Sequence, residues 1–323
     1  MLKRLALVFV AAASAVWCVA APAQDFPNRA IRIVVPYAPS GNVDITARTL
    51  APGFSEALGQ QVIVENRAGA GGTIGTAAVA KSAPDGYTLL LGSSGTVTAG
   101  PAVYKNLSFD PIKDLVAVGP IQSVPMVLTA APKTPVANFK ELLAYAKSKG
   151  SPVSMASAGS GSSNHLALEL LAREAHLTVL HIPYKGSGPA LTDLLGSQVE
   201  TMMDQLTASI EHIRNGRIKP LAVTSRRRSP QLPNVPTLDE LGVAGYEATT
   251  FTGLFAPAGV PPAALEKLQA ALKKALSVEA VRERYRSMGV EMMDMSAADF
   301  AVFVRADLEK WRRVAREANI VVE

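Results

Sequence analysis

Four stretches of this chain combine small residues with hydroxyl or amide donors, and each follows an apolar run. They are Ala38 to Asn42 (APSGN), Ala68 to Thr73 (AGAGGT), Ser93 to Thr96 (SSGT) and Ser157 to Ser163 (SAGSGSS). Small side chains let backbone N–H groups come close to an oxyanion, and serine hydroxyls add donors of their own. Where such a loop enters a helix, the first N–H groups have no partner and carry a partial positive charge of about half an electron. Strand, small-residue loop and helix start together make an anion-binding device. A fifth loop, Pro183 to Gly188, adds Tyr184 and Lys185. Ligands of open α/β sheets sit at the carboxyl ends of strands, so these loops are expected to meet in one oxyanion-binding cleft. The candidate ligand residues read from the loops are Ala38, Pro39, Ser40, Gly41, Asn42, Gly72, Thr73, Ser94, Ser157, Gly159, Ser160, Gly161, Ser162, Ser163, Tyr184 and Lys185, with His165 in the turn just beyond the serine loop.

Other chemistries fit less well. The string GAGGTIG from Gly69 to Gly75 is not G-x-G-x-x-G, because Ile74 occupies the last glycine position, and a P-loop motif is absent. Serine hydrolysis would use G-x-S-x-G, which Ala158-Gly159-Ser160-Gly161 does not supply. The four histidines (His165, His176, His181, His212) have no metal-ligand spacing with carboxylates, so no metal and no cofactor are expected, and His176 and His181 read as ordinary surface or core residues. Arg226-Arg227-Arg228 reads as a solvated loop, and Met292, Met293 and Met295 as packing.

The elements that must position these loops follow from periodicity. Ile31 to Val35 is a continuous apolar run of the kind a buried parallel strand needs, and a helical pattern begins near Asp44, where Asn42 or Asp44 can cap or charge the helix start. Further strands are predicted at Gln61–Glu65, Tyr87–Leu91, Leu115–Val118, Met126–Ala130, Val153–Ala156, Val179–Ile182, Thr201–Asp204, Leu221–Thr224 and Phe251–Ala256. Helices are predicted at Thr76–Ser82, at Phe139–Lys149 behind an Asn138 cap, and at His165–Ala175, Pro189–Leu195, Ala263–Leu276 and Ala298–Asn319. In the last helix Phe300, Phe303, Val304, Leu308, Trp311 and Val314 form an apolar stripe. Strands alternating with helices imply an α/β fold with mostly parallel sheets and helices on both faces.

Residues 1–23 read as a cleavable signal peptide: a basic Lys3-Arg4, an apolar Leu5 to Ala20, and small residues at Ala21-Pro22-Ala23. The apolar run is shorter than the roughly 20 residues of a span. Cleavage would remove Cys18, the sole cysteine, leaving a chain without disulfides or thiolate ligands. Removing Lys3 and Arg4 also lowers the formal charge from +5 to +3, which suits small anions and is thin for nucleic acid.

At the level of whole blocks, VPYAPSGNVDITAR, VIVENRAGAGGTIG, DGYTLLLGSSG, SAGSGSSNHLALELL, HIPYKGSGPALTDLLGSQVETMMD, LAVTSRRRSPQLPNVPTLDELG and GLFAPAGVP occur in order along the chain. This succession resembles the Bug (TctC-like) family of extracytoplasmic solute receptors, the periplasmic binding components of tripartite tricarboxylate transporters. The resemblance implies a two-lobed periplasmic-binding-protein fold (type II-like) whose cleft closes over a small carboxylate, without catalysis. It places first-loop contacts at Tyr37 to Asn42, with Asp44 organising the helix start. It places Ser157, Gly159, Gly161, Ser162 and Ser163 on the opposite lobe, with Tyr184, Lys185 and Gly186 nearby, and Asp204 as the acidic residue ending the following strand. The glycine pair usual in the family's first loop is replaced by Ser40-Gly41-Asn42, so an altered loop shape and ligand choice are expected.

The expected lobes are 24–123 plus 252–323, and 124–251. The expected function is a monomeric periplasmic receptor that delivers a di- or tricarboxylate, amino acid or aromatic acid to transporter subunits or a sensor, with no nucleic-acid partner. The alternative is a secreted α/β enzyme acting on a similar anion.

Overall fold

The structure is a computed structural model and describes residues 26–318, 321 and 322. The expected signal peptide lies outside the described residues. The apolar runs of β1 (Ile31–Val35) and β3 (Thr88–Ser93) become strands buried along most of their length; β1 pairs in parallel with β3 and with β2 (Val62–Asn66), an edge strand of which only Val62 is buried. A second parallel group comprises β5 (Val153–Ser157), β6 (Val179–Pro183) and β7 (Thr201–Gln205). Between the groups run two long strands, β4 (Leu115–Ala130) and β9 (Thr249–Pro257), antiparallel to each other and to their neighbours. The strand order is β2-β1-β3-β9-β4-β7-β5-β6, with β8 (Lys219–Val223) and β10 (Glu291–Met292) also paired to β4. The expectation of mostly parallel sheets therefore holds for the outer strands of each lobe, and the long connecting strands make the sheet mixed.

Strand β4 replaces the two short strands expected at Leu115–Val118 and Met126–Ala130. Gly119, Pro120 and Pro125 look like breakers, yet the pairing shifts register between Ala117 and Gly119 and again between Pro120 and Gln122. Such irregularities are where a strand accommodates proline. The first part of β4 pairs with β9 and the last part, Met126 to Ala130, with β7 and β8, so one strand serves both lobes.

The helices cover both faces. The first, α1 (Asn42–Leu58), buries Val43, Ala47, Leu50 and Phe54 and packs on the helix Pro262–Ser277. Gly59 ends α1 in the left-handed conformation, where a side chain would be strained. Asn138 caps its helix as expected, its side chain accepting from the Glu141 N–H. In the last helix, Ala297–Ala318, Phe300, Val304, Leu308 and Trp311 are buried. Ser93 to Thr96 is not a loop: a short helix, Ser94–Val97, starts there, and another, Ala99–Val103, follows. Among the described residues no helix is long and apolar enough to cross a membrane.

Candidate functional site

The carboxyl ends of β1, β3, β5 and β7 face one another across a cleft, and each leads into a helix. The small cavity between them, about 10 Å³, is lined by Tyr37, Gly41, Asn42, Val43, Ser93, Ala158, Ser163, Asn164, Ser187 and Gln205. Four of the eight-residue-or-longer helices present their first residues here: α1, α6 (Ser163–Glu174), α7 (Ser187–Leu195) and α8 (Leu206–Arg214), whose N-caps are Gly41, Ser162, Gly186 and Gln205. Their unpaired N–H groups and dipoles give the cavity a positive field, although no charged side chain lines it. The walls touch: Ala38 N–H donates to the Lys185 carbonyl at 3.0 Å, and the Tyr104 hydroxyl donates to the Ser160 carbonyl at 2.6 Å. A volume on the scale of one water means the walls must part to admit a solute.

The first wall is set by Asp44. Its carboxylate accepts from Ser40 N–H at 2.9 Å, from Arg48 Nε at 3.0 Å and from Asn66 Nδ2 at 2.9 Å. Burial pushes the Asp44 carboxyl up, but bonds from Arg48, Ser40 and Asn66 outweigh it and hold it below its ordinary range. Ser40 adopts φ +67°, a left-handed conformation that glycine reaches without strain. Asn42 is the first residue of α1 and not its cap. Its Oδ1 accepts from Gln122 Nε2 at 3.0 Å, while its Nδ2, buried, has no partner. Burial raises the Tyr37 phenol, so it enters the cavity wall as a neutral donor.

The opposite wall is held from behind by two histidines. His165 Nδ1 accepts from Gly161 N–H at 3.1 Å, His181 Nε2 lies 2.6 Å from Ser157 Oγ, and the two rings stack at 4.0 Å. Burial first, then the His165 ring, lowers His181 to about 4. Glu169 lies 3.4 Å from His165 Nε2, so His165, Glu169 and His181 form a group of metal-ligand residue types; the i,i+4 spacing of His165 and Glu169 is present in the sequence, while His181 joins them only in the fold. The group does not fit a metal. The rings are within 13° of parallel, so their lone pairs do not converge. Binding through His165 Nε2 would also put a proton on Nδ1, against the Gly161 N–H. Ser157, hydrogen-bonded to His181, is fully buried, and neither residue lines the cavity.

Comparison with known proteins places the chain. Residues 46–320 match the family model described as tripartite tricarboxylate transporter family receptor (TctC). Protein BugT of Bordetella pertussis is 38% identical over 315 residues, covering 97% of this chain and 95% of that protein. The chain belongs to the TctC receptor family. Among solved structures, periplasmic binding protein BugD superposes with a TM-score of 0.89 at 38% identity, over 92% of this chain and all of that one. MatC of Rhodopseudomonas palustris, solved with bound malate, gives 0.86 at 34% identity, over 90% and 99% of the two chains.

Within this TctC-family receptor, the structure brings Tyr37, Gly41, Asn42 and Ser163 to the cavity itself. Gly159, Ser160, Gly161 and Ser162 form the loop behind it. Ser162 Oγ donates to the Gly159 carbonyl at 2.6 Å, and Ser162 caps α6. Other candidates are engaged elsewhere. Ser94 Oγ accepts from Phe251 N–H, Thr73 Oγ1 donates to the Ala70 carbonyl, and Gly72 packs against Thr96 and Tyr37. Tyr184 donates to Asp193 at 2.6 Å, and burial raises its phenol to about 12. Ala38 and Gly186 meet at the rim, Pro39 and Ser40 are exposed there, and the Lys185 side chain points to solvent while its carbonyl closes the cleft. Asp204 lies just behind Gln205, fully buried.

Sequence reasoning missed Val43, Ala158, Asn164, Gln205 and Ser187 as individual lining residues, and it placed Ser93 in a loop without singling it out. Gln205 is the hub: Asn164 Oδ1 accepts from its Nε2 at 3.0 Å, while its Oε1 receives Asn164 Nδ2 at 3.2 Å and Ser187 Oγ at 3.4 Å. The available signal was position, since the first residues after a strand at the cleft edge inherit the free N–H groups. The basic run is solvated as expected, Arg226 pairing with Glu247 and Arg228 with Glu240.

Proposed function

We propose that this receptor works in the periplasm, closing two lobes over a small carboxylate and presenting it to membrane subunits of a tripartite tricarboxylate-type transporter or to a sensor, without catalysing a reaction. The observation that carries the reading is the cavity in which four helix N-termini and the unpartnered Asn42 amide converge with no charged side chain. Each hydrogen bond to a charged group contributes roughly 1.5–3 kcal/mol, so several neutral donors hold a carboxylate without a formal cation. The malate bound by the related MatC is a ligand of this class. The lobes in this reading are 24–123 with 252–323, and 124–251. The chain crosses near Gln122–Val127 and Thr250–Leu254, which lie on β4 and β9.

A thermal-shift screen of malate and other small mono-, di- and tricarboxylates tests the reading. A ligand at 100 times its dissociation constant stabilises the folded chain by about 2.7 kcal/mol, a visible shift in Tm. The shift is expected to persist after dialysis against EDTA. No shift with any member of the panel, or one that EDTA abolishes and a divalent cation restores, sinks the proposal.

A further inference from the structure

Tyr104 stands at the end of the short helix Ala99–Val103, on the lobe that carries β1 to β3. Its hydroxyl reaches across the cleft to the carbonyl of Ser160, in the loop after β5. The phenol fits a notch made of two glycines. A Cβ on Gly161, on the facing loop, would overlap the Tyr104 ring, and a Cβ on Gly71, on Tyr104's own lobe, would overlap the Ser160 carbonyl and crowd the Tyr104 hydroxyl. Both glycines have positive φ, +72° and +59°, so side chains are disfavoured there on two counts. The loop that receives Tyr104 is pinned from the other side, where Gly161 N–H donates to His165 Nδ1. Beside the notch, Ala99 and Val103 pack with Leu166 of the facing helix and with Trp311 and Ala315 of the last helix, an apolar patch that also joins the two lobes.

We infer that Tyr104 is the latch of the closed state: a positioning residue that does not line the cavity but holds the serine loop over it. The inference rests on the proposed reading of the cleft as a solute site. Opening to release a solute breaks the Tyr104–Ser160 bond, whereas encounter with the open cleft does not involve it. The latch therefore acts on dissociation.

The test compares the parent with Tyr104→Phe, Gly161→Ala and the double variant. Stopped-flow kinetics with malate are expected to give association rates within about two-fold of the parent, and a dissociation rate roughly three- to ten-fold faster for Tyr104→Phe, the scale of one net hydrogen bond. The double variant is expected to dissociate no faster than the faster single variant, because both changes break the same contact. A residue that only supported the fold would lower the ligand-free Tm and leave this rate split unchanged. A ligand-independent measurement accompanies the kinetics: the separation of spin labels at the exposed positions Glu56→Cys and Lys140→Cys, one on each lobe, in a chain carrying Cys18→Ala. Tyr104→Phe is expected to shift these distances to longer values. Malate failing to bind the parent overturns the solute reading for that ligand, while the label distances still judge the latch. Unchanged distances, or equal dissociation rates in parent and Tyr104→Phe, overturn the latch.

Discussion

Glu200, just before β7, and Asp204, near its cleft end, stand four residues apart in opposite surroundings. Glu200 accepts from Lys149 at 2.6 Å, from Tyr145 at 2.7 Å, and from the N–H and hydroxyl of Ser154 at 2.8 and 3.0 Å. Burial pushes its carboxyl up, but these donors outweigh burial and bring it down to about 2. Asp204 is fully buried at the cleft end. Its Oδ2 accepts from Ser209 at 2.7 Å while its Oδ1 has no partner, and burial pushes its carboxyl up to about 6. The same strand thus has one end where every acceptor is used and one end left short. An unpaired buried polar group costs about 1–3 kcal/mol. Here such groups gather near the cleft and the strands beside it: Asn42, Gln122, Asp204, Thr207, Thr250 and Thr252. The difference teaches where the molecule gives up stability to keep a site available.

The largest effect expected is at the cleft. Gly161→Val needs a β-branched residue at φ +72° and drives it into Tyr104, displacing the backbone donors. It should weaken carboxylate binding about 100-fold or more, about 2.7 kcal/mol. Lys185→Ala, an exposed change, should cost no more than a few-fold. Calorimetry on both decides. Lost binding in Lys185→Ala with Gly161→Val intact would mean the site is a salt bridge and the comparison of the two ends misplaced.

At the satisfied end, Glu200→Gln should lower unfolding stability at pH 7 by about 1–2 kcal/mol, after discounting for partial solvation, and leave ligand affinity unchanged. The carboxyl is depressed in the folded state, so its contribution is present above the ordinary carboxylate range and is lost as pH falls toward about 2. Urea midpoints from pH 3 to 7 check this. A variant losing as much at pH 3 as at pH 7 breaks the assignment.

The third effect has the opposite sign. Asp204 is raised in the folded state, so its contribution is present below its ordinary value near 3.8 and is lost as pH rises through about 6. Asp204→Asn should remove that loss, gaining about 2 kcal/mol at pH 8 relative to pH 4. Equal parent-to-variant differences at the two pH values would show that the two ends do not differ electrostatically.

Much of this was legible in the sequence because apolar runs and caps act locally. Ile31–Val35, the Asn138 cap and the stripe of the last helix came from periodicity alone. The misses have physical causes. Leu206–Arg214 follows β7 directly, with no turn residue to announce it, and Glu279–Ser287 is short, very polar and buries only Tyr285. The single strand β4 was read as two because Gly119 and Pro120 sit at pairing irregularities, while Pro125 keeps its register with Thr249, and a sequence displays neither. At the site, loops were found by composition, but Ser94 and Tyr184 could not be told from lining residues. Their hydroxyls are claimed by Phe251 N–H, distant in the chain, and by Asp193, in the helix after the loop. The His165–His181 stack joins a helix to a neighbouring strand, a contact that linear spacing cannot reveal.

The placement of β9 between β3 and β4 has a consequence for how the chain acquires its structure. Leu90 pairs with Phe255 and Gly92 with Gly253, while Val116 pairs with Ala256. Residues up to Ser123 therefore cannot complete their sheet as the chain emerges; they wait for a strand encoded after the whole intervening lobe. Residues 124–248 contain most of their own pairings through β5, β6, β7, β8 and the end of β4, which are closer in sequence. Closing long loops late makes such folding slow. The intervening lobe should gain hydrogen-exchange protection first, and β3 and the first half of β4 should gain theirs only when β9 arrives between them.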